Sequence, residues 1–177
     1  MNLYFRLFWL LLTRRFRPAL PLMGEGRLVF RVWPNDLDFN FHMNNGRYLT
    51  LLDLGRLDLM LRTKLWGLVR QRRWMPVVAA VNGRFRRALS PFERFTMTTC
   101  TLGWDEKFIY LDQKIFDARD RLAFHAIVKA AFVGKGGTVP TDEIMAAMDE
   151  EILSPVLPDA VQRWADADRA IAEWAGR

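Results

Sequence analysis

The chain has 177 residues and a mass of 20.7 kDa, the size of one domain around one hydrophobic core. A composition of 51% hydrophobic and 26% charged residues excludes disordered, collagen-like and low-complexity classes. With 26 Lys and Arg against 20 Asp and Glu, the formal charge of +6 favours polyanionic partners: nucleic acid, anionic lipid or a phosphorylated cofactor.

The scarce residues exclude more. One cysteine, Cys100, and two histidines, His42 and His125, rule out an intramolecular disulfide and a Cys/His zinc cluster. No metal is expected, and a reducing, cytoplasmic compartment is the natural setting. Neither serine, Ser90 or Ser154, lies in a G-x-S-x-G or S-x-x-K context, so the standard serine-nucleophile frameworks are absent. The basic residues are scattered and no RRM, KH, zinc-finger or helix-turn-helix signature is present, which argues against nucleic acid.

Leu3–Leu12 is apolar except for Arg6, about half the ~20 residues a membrane-spanning helix needs. No basic run precedes it and no A-x-A-like site follows, so a cleaved secretory signal is not expected. Arg14, Arg15 and Arg17 come next, and two readings stay open. The helix docks on its own domain or a second subunit, or residues 3–17 make peripheral contact with an anionic membrane. Residues 1–25 form this amphipathic helix and its linker, closed by Pro18 and Pro21.

Arg27–Trp33 alternates as a strand with Leu28, Phe30 and Val32 on one face, and Pro34 ends it. Asn35–Asn45 is dense in Asn and Asp, a loop leading to a helix N-terminus. The helix, Asn45–Leu65, is apolar around most of its circumference and should be buried, with Asp58 and Arg62 sharing the solvent edge. Gly67–Trp74 is a basic connector. Met75–Leu89, Arg94–Trp104, Lys107–Asp117 and Leu122–Val133 are four strands, and their short connections predict an antiparallel meander. Gly134–Thr138 lacks the spacing of a phosphate loop and is expected to be a flexible strand exit. Thr141–Gly176 carries one short and one longer helix, broken near Pro155 and Pro158. A helix this apolar must be covered on most sides, which a curved antiparallel sheet wrapped around it achieves. The expected class is α+β with the hotdog fold over residues 26–138, flanked by the N-terminal helix and a helical extension, 139–177.

Asp36, Asp38, His42, Asn44, Asn45 and Tyr48 match the D-x-D-x-x-G-H-x-N-N-x-x-Y pattern of the 4-hydroxybenzoyl-CoA thioesterase-like branch of hotdog proteins, which the chain resembles over residues 26–135. Ser90-Pro91-Phe92-Glu93-Arg94-Phe95 and Trp104-Asp105-Glu106-Lys107, followed by Tyr110, are similar to strand segments of the thioesterase superfamily member 6-like proteins within it. The departure is Phe41, where the family has Gly; a bulky residue there bears on the shape of the thioester pocket. The resemblance implies an acyl-CoA thioesterase with Asp38 as nucleophile or base, no cofactor beyond the substrate's own coenzyme A, and a homodimer or higher assembly with sites at subunit interfaces.

The chemistry also stands on the residue types. A carboxylate at a helix N-terminus can attack or deprotonate while first-turn N–H groups meet the developing oxyanion, here the amides near Asn44 and Asn45. The bland alternative makes Asp38 the helix N-cap. Asp36 is expected to brace the loop, and His42 to orient Asp38 or polarise substrate, or else to pack. His125 is expected to be a packed residue. Tyr48 lines the substrate site or belongs to the core. Asp53 and Arg56 form a polar pair on the helix that reaches the partner's site in a hotdog dimer or else is a satisfied pair at the helix end of the sheet. Arg84, Arg86 and Arg87 are candidates for coenzyme A phosphates, with Arg70, Arg72 and Arg73 behind them. Against hydrolysis stand two alternatives: a non-catalytic acyl-thioester or lipid-binding hotdog protein, and a peripheral membrane or scaffolding protein.

Overall fold

In the computed structural model, which describes residues 2–148 and 153–176, the order is α1 (Asn2–Thr13), β1 (Gly26–Arg31), α2 (Asn45–Arg62), α3 (Leu65–Arg72), β2 (Met75–Phe85), β3 (Arg94–Trp104), β4 (Ile109–Phe116), β5 (Leu122–Gly134), β6 (Gly137–Thr138), α4 (Thr141–Ala147) and α5 (Asp159–Ala175). All strand pairs are antiparallel, in the order β1-β3-β4-β5-β2, with β6 paired to β5. The expected meander is therefore wrong at one step: β2 pairs with β5, not β3. A strand has two edges, and those of β3 are taken by β1, from Gly26↔Thr99 to Arg31↔Arg94, and by β4. The segment between Phe85 and Arg94 crosses over, leaving β2 as a sheet edge.

Register shifts at Val78/Ala80, Thr101/Gly103 and Ile115/Phe116 curl the sheet, and α2 packs on its inner face. Close approach depends on Gly55: a Cβ there would stand 2.4 Å from Thr99 Oγ1 and 2.9 Å from Gln113 Nε2. Gln113, fully buried, joins sheet to helix by donating from Nε2 to Leu52 O (3.0 Å) and Thr99 Oγ1 (2.9 Å).

Several local expectations change. The basic connector is the helix α3, because Leu65, Leu68 and Val69 share a face against the core while the arginines point out; Arg73, in the left-handed region at φ 55°, ends it. Asp58 is buried rather than at a solvent edge, because Arg17 (2.9 Å) reaches over it and pairs with it alongside Arg62 (3.2 Å). Gly134–Thr138 closes a short hairpin through Val133↔Thr138 and Gly134↔Gly137. α1 does dock on its own domain: Leu10 is buried, Leu3 and Leu7 pack against the core, and Arg6 is buried with them. On the outer face of the sheet α5 packs Val161, Trp164 and Ala165 around Tyr110, and Asp168 pairs with Lys129 at 2.8 Å. The stretch between α4 and α5 includes 149–152, which lie outside the described residues together with 1 and 177. No described helix is long and apolar enough to cross a membrane.

Candidate active site

Where β1 ends, Pro34–Asp36 makes a 3-10 turn that drives Asp36 into the interior. Its carboxylate accepts from Trp33 N (2.9 Å), from the Arg6 guanidinium (2.6 and 3.3 Å) and from Arg47 Nε (3.1 Å), and its carbonyl accepts from Asn44 N (2.8 Å). Asp36 is thus the strut that ties α1, the loop and the first turn of α2 together, as its bracing role required, with two arginines added to the backbone donors.

Two residues on, the chain folds into a tight hairpin closed by the Leu37↔Met43 bridge and by Asp38 N to His42 O (2.9 Å). Phe41 N donates to Asp38 O (3.1 Å) with Phe41 at φ 56°, in the left-handed region. That backbone explains the family's Gly at this position, which adopts it without a Cβ clash. The Phe41 side chain points outward and is 75% exposed, so it fills no pocket within the chain.

Asp38 Oδ1 accepts from Asn40 N (2.8 Å) and His42 N (3.4 Å), while Oδ2 has no hydrogen bond among the described residues. His42 therefore holds Asp38 through its backbone N–H; its ring is exposed. Capping of α2 falls to Asn44, whose Oδ1 accepts from Gly46 N (2.8 Å), so Asp38 is not the N-cap. Of the two expected oxyanion donors, the Asn44 amide is already given to Asp36 O, and the Asn45 amide has no acceptor among the described residues. Tyr48 is core: it packs on Phe85 and Phe124 at 5.3 and 5.2 Å, and burial pushes its hydroxyl up to about 12.

The expected arginine cluster is split. Leu89 O accepts from Met43 N (2.9 Å) and Arg87 O from the Tyr48 hydroxyl (3.4 Å), so exposed Arg86 and Arg87 follow the chain past the hairpin. Arg84 faces the other side of the sheet, opposite His125 and in one cavity with Asp112 and Trp164. His125 is on this outer face too, bonded through Nε2 to Asp112 Oδ1 at 2.5 Å, remote from α2.

Along α2 a groove starts between Leu49 and Val81 and leads into an apolar cavity of about 190 Å³, whose walls include Leu59, Met60, Ile109, Leu111 and Phe132. Asp53 and Arg56 line both parts. Arg56 is bonded to Asp53 and donates to Gln113 Oε1 at 2.7 Å, and burial lowers its pKa. Gln113 escaped the sequence reading; the signal was its phase in β4, shared with Ile109, Leu111 and Ile115. Among the described residues no His/Cys/Asp/Glu group is placed to hold a metal ion.

Residues 32–165 match the model of the thioesterase-like superfamily. Protein THEM6 of Xenopus laevis is 30% identical over 154 residues, covering 86% of this chain and 73% of its own, and Protein THEM6 of Drosophila melanogaster is 32% identical over 135 residues, covering 75% and 67%. Among solved structures, the YbaW probable thioesterase of Escherichia coli superposes with a TM-score of 0.65 at 20% identity, over 72% of this chain and 98% of that one. The DHNA-CoA thioesterase of Staphylococcus aureus gives 0.60 at 14% identity, over 84% and 94%. These likenesses bear out the hotdog fold. A family match across most of the chain, with the Asp/Asn loop placed at the head of the buried helix, decides the assignment: the chain belongs to the thioesterase-like superfamily.

Proposed function

We propose that the protein hydrolyses an acyl-CoA or related acyl thioester with Asp38 as the acting carboxylate. The observation that carries this reading is that, among the described residues, the carboxylate oxygen Asp38 Oδ2 and the Asn45 N–H at the start of α2 both have no hydrogen-bond partner. In the general-base route, Asp38 takes a proton from water as the water oxygen bonds to the thioester carbon. Negative charge develops on the carbonyl oxygen, which the Asn45 N–H and the positive end of α2 stabilise. Collapse breaks the C–S bond, and the leaving thiolate takes up a proton. The nucleophilic route differs only in that Asp38 Oδ2 itself bonds to the carbonyl carbon, and water then opens the resulting anhydride. No cofactor enters either route.

The apolar groove and cavity along α2 suit an aliphatic or aromatic acyl group. We assign the coenzyme A phosphates to exposed Arg86 and Arg87, a substrate consistent with the name of the Staphylococcus aureus neighbour. A homodimer completes the site. Met75, Val78, Val81 and Phe85 on the edge strand β2, and Phe39 and Phe41 on the hairpin, are exposed in the single chain, and a second copy pairing along β2 covers apolar surface and shields Asp38 from water.

The test is free-thiol release from short, long and aromatic acyl-CoAs by the wild type and by Asp38→Asn. A drop of at least about a hundredfold, ~2.7 kcal/mol of transition-state stabilisation, with unchanged circular dichroism, is expected. Binding of acyl-CoA by the wild type with no thiol release across the panel overturns hydrolysis and identifies the binding protein instead.

A further inference from the structure

We propose that α1 lies in the surface of an anionic membrane, with its outward face among the lipid headgroups and upper acyl chains. The helix has two faces and neither is polar. Leu3, Leu7 and Leu10 pack on the domain with Arg6. The opposite arc, Tyr4, Phe5, Phe8, Trp9, Leu11 and Leu12, is between 41% and 75% exposed, and Phe16 just beyond is 74% exposed. A helix that is apolar all round needs cover on every side, and here half of its circumference has none among the described residues.

Three observations select lipid as the cover. First, the patch runs on from α1 to the edge strand β1, through a shallow groove where Phe5 and Trp9 face Val29 and Trp33 between Arg31 and Arg94. The apolar surface is thus rimmed by cations. Second, Arg14 and Arg15 extend from the end of the helix into solvent, and Arg15 lies over the Phe16 ring at 4.9 Å. Aromatic side chains beside arginines are the composition of an interfacial helix: rings settle at headgroup depth while guanidinium groups meet phosphates. Third, the sequence holds four arginines and no acid between residues 2 and 24, in a chain of net charge +6. A second copy packing this face on itself would bring identical acid-free segments together, with no carboxylate on either to meet the arginines. An anionic bilayer supplies both the apolar depth and the negative charge.

The orientation has a consequence for access. Arg6, on the inner face of α1, is bonded to Asp36, which holds the hairpin bearing Asp38. Membrane contact therefore places the proposed thioester site one strut away from the lipid surface, where long-chain acyl groups concentrate.

The experiment is flotation of the full chain with phosphatidylcholine vesicles, with and without about a third phosphatidylglycerol. Three variants accompany it: Phe8→Glu, Trp9→Glu and the double change Arg14→Glu with Arg15→Glu. All substituted side chains are exposed, so thermal midpoint and thiol release in the absence of vesicles should match the wild type. Expected is flotation with anionic vesicles that weakens at least about tenfold in each variant and in about 0.5 M salt, where charge is screened within a few ångström. Absence of flotation by the wild type overturns the proposal. So does a Phe8→Glu or Trp9→Glu protein that sediments at half the wild-type mass without vesicles, which would mean that a second copy covers this face.

Discussion

Asp36 and Asp38 stand two residues apart and have opposite fates, which burial decides. Asp36 has no exposed surface and three sets of donors around it, so its charge is fully compensated and unavailable for chemistry. Replacing it with Ala strands the buried Arg6 without its carboxylate, and chemical denaturation is expected to show a loss of about 3–5 kcal/mol. Asp38 is half-buried with one oxygen uncommitted, so Asp38→Asn should change turnover and leave the fold alone. Tyr48 gives a pH signature. Its folded-state pKa lies above the ordinary 10.0, so the folded chain holds this proton more tightly than the unfolded one. The stability it contributes is present below pH 10 and is lost as pH rises toward 12. A thermal-midpoint series from neutral to alkaline pH should fall in that window, with Tyr48 ionising as the chain unfolds, and Tyr48→Phe should flatten the fall. The residue types of the loop were legible because Asp, Asn and His in that spacing suit few other purposes. Which amide stays free was not, since it depends on Asn44 turning its own N–H back to Asp36.

At the scale of elements, α2 was legible from its apolar run, and its depth in the sheet was not. The depth rests on Gly55 and on Gln113, far apart in sequence and joined only by packing. Gly55→Ala places a methyl group against Thr99 Oγ1 and Gln113 Nε2, neither of them free to retreat, and is expected to cost about 1–3 kcal/mol of stability by denaturant titration. The helix α3 was hidden because three arginines and a glycine between residues 67 and 73 mask a three-residue apolar stripe. Each of the five long strands was found by its own pattern, within a few residues at the ends, while the two-residue β6 was read as a flexible strand exit. Pairing is a property of two strands, and the run of short connections could not show that β1 had already taken the free edge of β3.

For the whole molecule, two apolar surfaces carry the proposed contacts, β2 with the hairpin for a second copy and α1 for lipid. The proposed pairing along β2 makes a specific demand. Val81→Glu puts a charge on the unpaired edge beside Leu49 and Thr50, and analytical ultracentrifugation is expected to shift the protein toward the 20.7 kDa monomer, with thiol release lost in parallel. A Val81→Glu protein that stays dimeric would place the interface elsewhere. By itself the sequence determined the class of fold, the buried helix, the acid-bearing loop before it and the excess of positive charge, because these follow from local periodicity, residue type and composition. Only the tertiary structure decided that Arg6 and Arg47 are the partners of Asp36 and that Asp38 is open, that Arg84 and His125 belong to the far face of the sheet, and that one half of α1 docks while the other stays bare. Those outcomes depend on contacts between segments tens of residues apart, and such contacts leave no mark in the pattern of either segment alone.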